Sequence, residues 1–216
     1  MAVPDPTTPR ERYRAQVRAE IKQHAWEQIA SAGTSALSLN AIAKQMGMSG
    51  PALYRYFAGR DELITELIRE AYRSLADAVR AASGSGPDLA AAAHAMRAWA
   101  LDDPHRYFLV YGTPVPGYHA PDDITAIASE IMAALLDACA ALPSDHPPTP
   151  FETHLEDHRE WAHGHPAPPA ALHRALTVWT RLHGVLSLEL AGHFTGMGID
   201  PGQLFAAELH DLLAQH

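Results

Sequence analysis

Apolar residues recur at every third or fourth position along most of the chain, and this spacing predicts amphipathic α-helices. The first such stretch has a period of four and comprises Val17, Ile21, Ala25 and Ile29. Gly33 is expected to end this helix because glycine is a common helix terminator. Before it, residues 1–10 carry three prolines and are predicted to form a disordered arm.

Two short apolar patterns follow on either side of Gly47, in the segment LSLNAIAKQMGMSGPALYRYFAGRDELI, residues 37–64. Ser38 is a suitable N-cap for the first of the two predicted helices. Ser49 and Pro51 suit the cap and first turn of the second, which is expected to extend towards Gly59. Gly47 suits the left-handed residue at a helix end. Three helices with a tight turn between the last two form a helix-turn-helix unit.

The pattern after Arg60 predicts one long helix that reaches about Ala82, and SGSGPD at Ser83–Asp88 predicts a hinge. Further helices are predicted at 89–101, 104–111, 124–142, 170–194 and 201–215, with a polar, proline-flanked segment near 151–163. The predicted fold class is all-α. Its helix-turn-helix domain is residues 11–60, its connecting helix is 61–82, and a larger helical bundle at 83–216 serves ligand binding and dimerisation.

Composition adds a charge asymmetry to this picture. The chain has 216 residues and a formal net charge of −9, yet residues 10–60 contain eight Lys or Arg against three Asp or Glu. After Ser83 there are five Lys or Arg against sixteen Asp or Glu. A polyanion partner is therefore expected for the N-terminal region only, although a solvated charged helix face would give the same counts.

Compartment and cofactor expectations follow from what is absent. No run of about 18 apolar residues occurs, so no membrane contact is expected. The single Cys139 cannot form an internal disulfide, and a cytoplasmic location is expected. No metal-finger spacing and no constellation of acid, base and nucleophile is evident, so we expect no cofactor, no bound metal and no enzymatic activity.

The pair Tyr54 and Tyr56 indicates a binding role for the second short helix. Residues two apart on a helix cannot both face the core, so at least one ring should be exposed, with its hydroxyl able to reach DNA. Half-buried packing with exposed tips is the alternative for both rings. The residues expected to contact DNA are Ser38, Lys44, Met48, Ser49, Gly50, Ala52, Tyr54, Arg55, Tyr56 and Arg60.

This N-terminal segment resembles the signature of the TetR family of transcriptional repressors. The residues that carry the resemblance are Ile42, Ala43, Gly47, Ser49, Leu53, Tyr54, Phe57, Asp61, Glu62 and Leu63. Arg60 stands where the family usually has Lys, and Tyr56 stands where His is frequent. The resemblance implies a homodimer that binds a pseudo-palindromic double-stranded DNA operator and releases it on binding a small-molecule effector.

A weaker resemblance concerns the C-terminal part. Trp179, His183 and Gly184 resemble the Trp-x-x-x-His-Gly segment of one regulatory subtype of the family. An apolar or amphipathic effector is expected in a largely apolar pocket. The residues expected to line it are His94, Trp99, Phe108, Tyr111, Met132, Leu135, Trp179 and His183. The alternative is that these residues form an ordinary helical core, with Gly184 allowing close helix packing.

Thirteen of the fourteen histidines follow Ser83. His154, His158, His163 and His165 lie among four acidic residues, and the first two are four apart, as metal ligands on a helix can be. A metal- or pH-sensing regulator is therefore the alternative function. The simpler interpretation is that these residues form a solvated polar segment.

The last two predicted helices carry long apolar stripes. Their members are Leu172, Leu176, Trp179, Leu182, Leu186, Leu190, Leu204, Phe205, Leu209, Leu212 and Leu213. One stripe can face the protein's own core, and the surplus predicts a two-fold symmetric homodimer through these helices.

Overall fold

The computed structural model describes residues 8–84, 86–113, 117–144 and 146–214. Across these ranges it is all-helical and contains no strand, which confirms the predicted fold class. The helices are α1 Pro9–Ala32, α2 Leu39–Gln45, α3 Gly50–Leu53, α4 Arg60–Ala82, α5 Leu89–Asp102, α6 Pro104–Tyr111, α7 Asp122–Ala140, α8 Pro150–Asp157, α9 Pro169–Leu190 and α10 Pro201–Ala214. Short 3₁₀ turns lie at Thr34–Ala36 and Glu160–Ala162.

The chain divides into two compact units. The first comprises Met1–Glu70 and Phe108–Ala120, and the second comprises Ala71–Tyr107 and Pro121–His216. The boundary therefore falls inside α4, whereas the sequence suggested boundaries at either end of this helix. One continuous helix thus belongs to both units.

The first unit is organised by α1. Its predicted apolar residues, from Val17 to Ile29, are buried. A capping box at Thr8 and Glu11 starts the helix at Pro9, so the helix begins within the segment predicted as an arm. The remainder of that predicted arm, residues 1–7, lies outside the described residues. Gly33 ends α1 with a φ of 78°, which favours glycine.

The second unit is built around α9, which packs against α5, α7, α8 and α10. Most of the apolar stripe predicted for dimerisation is used in this core: Leu172, Leu182, Leu186, Phe205, Leu209 and Leu212 are buried. Most of the predicted stripe is thus buried within the chain itself and is not available for a dimer interface. α9 also ends at Leu190 rather than near Phe194, since Gly192 adopts a φ of 76° and the His193 N–H bonds to the Leu188 carbonyl at 2.9 Å.

The polar segment near residue 151 is a helix in the structure. Thr149 and Glu152 form a capping box that starts α8, and Pro150 occupies its first position. Leu155 and Glu152 are its buried residues. Proline therefore begins this helix rather than interrupting it.

Candidate nucleic-acid interface and ligand cavity

The first unit presents two short helices joined by a tight turn. The Ser38 hydroxyl accepts a hydrogen bond from the Ala41 N–H at 3.3 Å and caps α2. Gly47 adopts a φ of 64° in the turn, and the Met48 N–H bonds to the Ala43 carbonyl at 2.8 Å. A Cβ at Gly50 would lie 3.4 Å from the Asn40 side chain, so the start of α3 lies close to α2. These contacts set the spacing of the helix-turn-helix.

The segment after the turn is shorter than the sequence predicted. α3 ends at Leu53, and the N–H groups of Tyr56 and Phe57 both bond to the Leu53 carbonyl, at 2.8 and 3.3 Å. Leu53 and Phe57 are fully buried, as expected. A bent turn therefore replaces the second half of the predicted helix and carries the two tyrosines.

Tyr54 is 46% exposed, which confirms that at least one ring faces solvent, while Tyr56 is half-buried. Ser49 is exposed, and its hydroxyl makes no capping bond although its carbonyl receives the Ala52 and Leu53 N–H groups. Lys44 and Arg55 are also exposed, whereas Met48, Gly50 and Ala52 are half-buried. The predicted DNA-contact residues thus lie on one continuous stretch of chain, apart from Ser38 and Arg60.

Several arginines of this unit have internal partners that the sequence did not indicate. Arg60 donates from Nη2 to the Thr34 carbonyl at 2.7 Å and so joins the start of α4 to the turn after α1. Arg14 and Arg18 of α1 donate to the carbonyls of Arg55 and Tyr56. These partners lie 26 to 41 residues away along the chain, and no local pattern signals them.

An apolar cavity lies inside the second unit, between α4, α5, α7 and α9. Its volume is about 30 Å³. All of its lining side chains are apolar: Val79, Leu89, Ala92, Ala93, Met96, Ile131, Leu135, Val178, Trp179 and Leu182. Leu135 and Trp179 were expected from the sequence. The others were missed because heptad-like spacing does not distinguish a cavity wall from a filled core.

His183 is not part of the cavity lining, but it contacts Trp179, which is. Its ring centroid is 4.2 Å from that of Trp179, and its Nδ1 is 2.9 Å from the Tyr107 hydroxyl. The same hydroxyl lies 2.9 Å from Ser187 Oγ. Burial lowers the pKa of His183 from 6.5 to about 4, so the imidazole is neutral at neutral pH. Burial also raises the pKa of Tyr107, an effect that the Ser187 hydrogen bond opposes.

The remaining predicted ligand residues do not line the cavity. His94 is exposed, Met132 is half-buried, and Trp99 is buried with its indole N–H bonded to Ser74 Oγ at 2.8 Å. Phe108 and Tyr111 belong to the first unit. Tyr107, which the sequence interpretation missed, contacts His183 in addition to Trp179.

Gly184 follows His183 and is exposed. No neighbouring atom lies within 4 Å of the position that a Cβ would take at Gly184. Close helix packing within the chain therefore does not require glycine at this position.

The histidine cluster does not form the predicted helical pair. α8 ends at Asp157, so His158 lies past the helix, where its ring stacks on His154 at 4.2 Å between centroids. His165 Nε2 lies 3.1 Å from Asp137 Oδ1. Within the described ranges, no group of three or more His, Cys, Asp or Glu residues could hold a metal ion. Metal sensing therefore has no supporting geometry here.

No helix in the described part of the chain has the length and apolarity needed to cross a bilayer.

The fold and the exposed helix-turn-helix define a DNA-binding protein of the helix-turn-helix class. Residues 21–67 match the family described as bacterial regulatory proteins, tetR family, and residues 89–212 match the tetracyclin repressor-like C-terminal domain. The chain belongs to the TetR family of transcriptional regulators. The second match does not identify the Trp-x-x-x-His-Gly subtype, which stays a prediction.

Relatives agree with this assignment. The HTH-type transcriptional regulator Rv1816 of Mycobacterium tuberculosis (strain ATCC 25618 / H37Rv) is 38% identical over 217 residues, covering 93% of this chain and 92% of that protein. The crystal structure of a protein described as regulatory, SCO4313, is 73% identical, with a TM-score of 0.88, and covers 96% of this chain and 100% of that one. The fatty acid degradation regulator FadR from Bacillus halodurans shares the fold, with a TM-score of 0.59 at 14% identity, and covers 92% and 98%.

Proposed function

We propose that the chain is a repressor that binds a pseudo-palindromic operator as a homodimer and leaves it when a small apolar or amphipathic molecule occupies the cavity. Its expected location is the cytoplasm, where it would meet its DNA.

The DNA contact is assigned to the stretch from Lys44 to Tyr56. Its exposed members combine a cation, a hydroxyl and an aromatic ring: Lys44, Ser49, Tyr54 and Arg55. Hydroxyls and cations of this kind contact phosphates, and the start of the second helix faces base edges in helix-turn-helix proteins. Arg60 holds the start of α4 to the Thr34 turn, and a direct phosphate contact from Arg60 stays a prediction.

The dimer is assigned to the outer face of α9 together with α10. Along α9 the residues Thr180, Gly184 and Leu188 recur every four positions and are exposed, so they form one stripe. Leu188 is 45% exposed, and Gly184, one turn before it on the stripe, carries no side chain that would keep a second helix away. This stripe replaces the buried one that the sequence suggested.

The effector is assigned to the cavity beside Trp179. Val79 lines the cavity and belongs to α4, the helix that begins at Arg60 in the DNA-binding unit. A ligand that displaces Val79 therefore acts on a helix shared by both units, which provides a coupling between the two sites. An all-apolar lining favours an apolar ligand group. SmeT, which has the same fold at 16% identity, is known as a complex with triclosan.

The test begins with selection of binding sequences from random DNA by the full-length protein. We expect an enriched site with two inverted half-sites whose centres are about 10 bp, or a multiple of this, apart. Light scattering of the protein–DNA complex then counts the chains bound per site. Enrichment of no sequence, or of a single half-site bound by one chain, would overturn the proposal.

A further inference from the structure

A surface groove of about 530 Å³ runs along the C-terminal half of α4 and the middle of α7. It shares two wall residues, Val79 and Ile131, with the apolar cavity described above. Only these two aliphatic side chains are common to both linings, so they form the partition between the groove and the cavity. The cavity is far smaller than the roughly 300–1,000 Å³ of a typical ligand site, so its walls must move to admit a ligand, and Val79 and Ile131 are the walls that face the groove.

Ion pairs lie beside the partition. Glu130 accepts hydrogen bonds from Arg73 Nη1 and Nη2, at 2.8 and 3.1 Å, and from Arg80 Nη2 at 2.8 Å. Arg80 Nη1 also donates to Asp77 Oδ1 at 2.7 Å. The Arg73 hydrogen bonds are the main cause that lowers the pKa of Glu130. Two cations and two carboxylates therefore balance one another in this network.

Asp137 is a second carboxylate of the groove, and among the described residues no Lys or Arg forms an ion pair with it. It is 61% exposed in its side chain, and its Oδ1 lies 3.1 Å from His165 Nε2. His165 Nδ1 accepts the Ala167 N–H at 3.2 Å, so the hydrogen bonds assign the neutral imidazole that carries its proton on Nε2. A neutral donor leaves the negative charge of Asp137 uncompensated at the groove surface.

We propose that this groove is the entrance for the effector and the binding site of its head group, and that the effector is an amphiphile with an apolar tail and a cationic, ammonium-type head. The inference rests on the proposed effector role of the cavity. The tail passes between Val79 and Ile131 into the cavity, and the head stays outside at Asp137. Ile131 and Asp137 lie six residues apart on α7, about 9 Å along the helix axis, which short amphiphiles span. The acidic excess after Ser83 favours the approach of cations.

The test measures binding of three decyl compounds to the full-length protein by calorimetry, below their micelle concentrations: decyltrimethylammonium, decanol and decanoate. We expect the ammonium compound to bind most tightly and decanoate most weakly. Asp137→Asn should weaken decyltrimethylammonium binding by about three- to five-fold and leave decanol binding unchanged. It should also reduce the salt dependence of ammonium binding, because an exposed charge pair is screened.

Asp211→Asn is the matched control, since it removes the same charge from an exposed position on α10 outside the groove. It should change none of the three affinities. Equal or tighter binding of decanoate, or equal effects of the two substitutions, would overturn the head-group assignment, as would failure of all three compounds to bind.

The partition is tested by the association rate. Ile131→Ala shortens one of its two side chains and should speed association of decyltrimethylammonium, whereas an unchanged rate would overturn the entrance. DNA release is measured separately, by fluorescence anisotropy on the selected operator. If the ammonium compound binds in a way that depends on Asp137 but does not release DNA, the groove is confirmed as the head-group site and the proposed repressor mechanism is contradicted.

Discussion

His183 shows how burial changes the chemistry of a single residue. In the unfolded chain its imidazole titrates near 6.5, and in the folded chain near 4, because burial disfavours the charged form. Between these values the unfolded state binds more protons. The contribution of His183 to stability is therefore fully present above pH 6.5 and is lost as the pH falls towards 4, by up to about 3 kcal/mol.

We predict that His183→Gln flattens this part of the pH profile. The free energy of unfolding, measured by urea denaturation between pH 4 and pH 7, should fall less steeply for the variant than for the parent protein. The difference in slope should lie below pH 6.5. Parallel profiles would show that His183 does not titrate with the shifted pKa.

Arg55 and Arg60 allow a DNA contact to be separated from a structural one. Arg55 is exposed on the turn after α3, whereas Arg60 bonds to the Thr34 carbonyl. We predict that Arg55→Ala lowers operator affinity and reduces the salt slope by about 0.9, the value for one lost phosphate contact. Its unfolding free energy should not change.

Arg60→Ala should additionally lower the free energy of unfolding by about 1 kcal/mol, because a hydrogen bond between α4 and the turn is lost. Anisotropy titrations at several salt concentrations and urea unfolding of both variants check the pair. A salt slope unchanged in Arg55→Ala would remove this residue from the interface.

At the scale of elements, α3 ends early for a reason that lies outside its own sequence. The spacing of Leu53 and Phe57 fits a helix, and both side chains are buried as that pattern predicts. However, Arg14 and Arg18 of α1 donate hydrogen bonds to the carbonyls of Arg55 and Tyr56. These carbonyls are therefore satisfied without a continuing helix.

Arg174 of α9 plays a comparable part at the end of α7. Its Nη1 donates to the carbonyls of Cys139 and Leu142 at 2.7 and 3.1 Å, and its Nη2 donates to that of Pro143 at 2.9 Å. Carbonyls at a helix C-terminus lack helical partners, and a cation there complements the helix dipole. The side chain thereby joins two elements of the second unit.

We predict that Arg174→Ala lowers the free energy of unfolding by about 3 kcal/mol, because these charge-assisted hydrogen bonds are lost. Arg181→Ala is a control on the same helix. It removes an ion pair with Glu208 and should lower the free energy of unfolding by less than about 1 kcal/mol. Urea unfolding of both variants provides the comparison, and equal costs would contradict the capping role of Arg174.

At the scale of the whole molecule, the proposed dimer depends on the exposed face of α9. We predict that Leu188→Arg gives a monomer in light scattering at micromolar concentration, because a charge would have to be buried between two chains. Leu101→Arg is the control, since Leu101 is 39% exposed on α5 and lies off this face. A dimeric Leu188→Arg protein would move the interface elsewhere.

The helical class, the helix-turn-helix and the family resemblance can all be predicted from the order of the residues. Helix periodicity, the cap at Ser38 and the glycine turn at Gly47 act over a few residues, so a local pattern is enough to predict them. The exposure of at least one of the two tyrosines followed from the same local geometry.

The packing of the folded chain, in contrast, sets which apolar stripes are buried within it, which residues line the cavity and which polar groups form hydrogen bonds. Tyr107 and His183 are 76 residues apart, and Arg60 and Thr34 are 26 apart. Such pairs depend on how helices cross, and helix crossing is set by the packing of many side chains at once. A residue pattern with a period of 3.6 indicates which face of a helix is apolar, but it does not indicate which helix or which second chain covers that face.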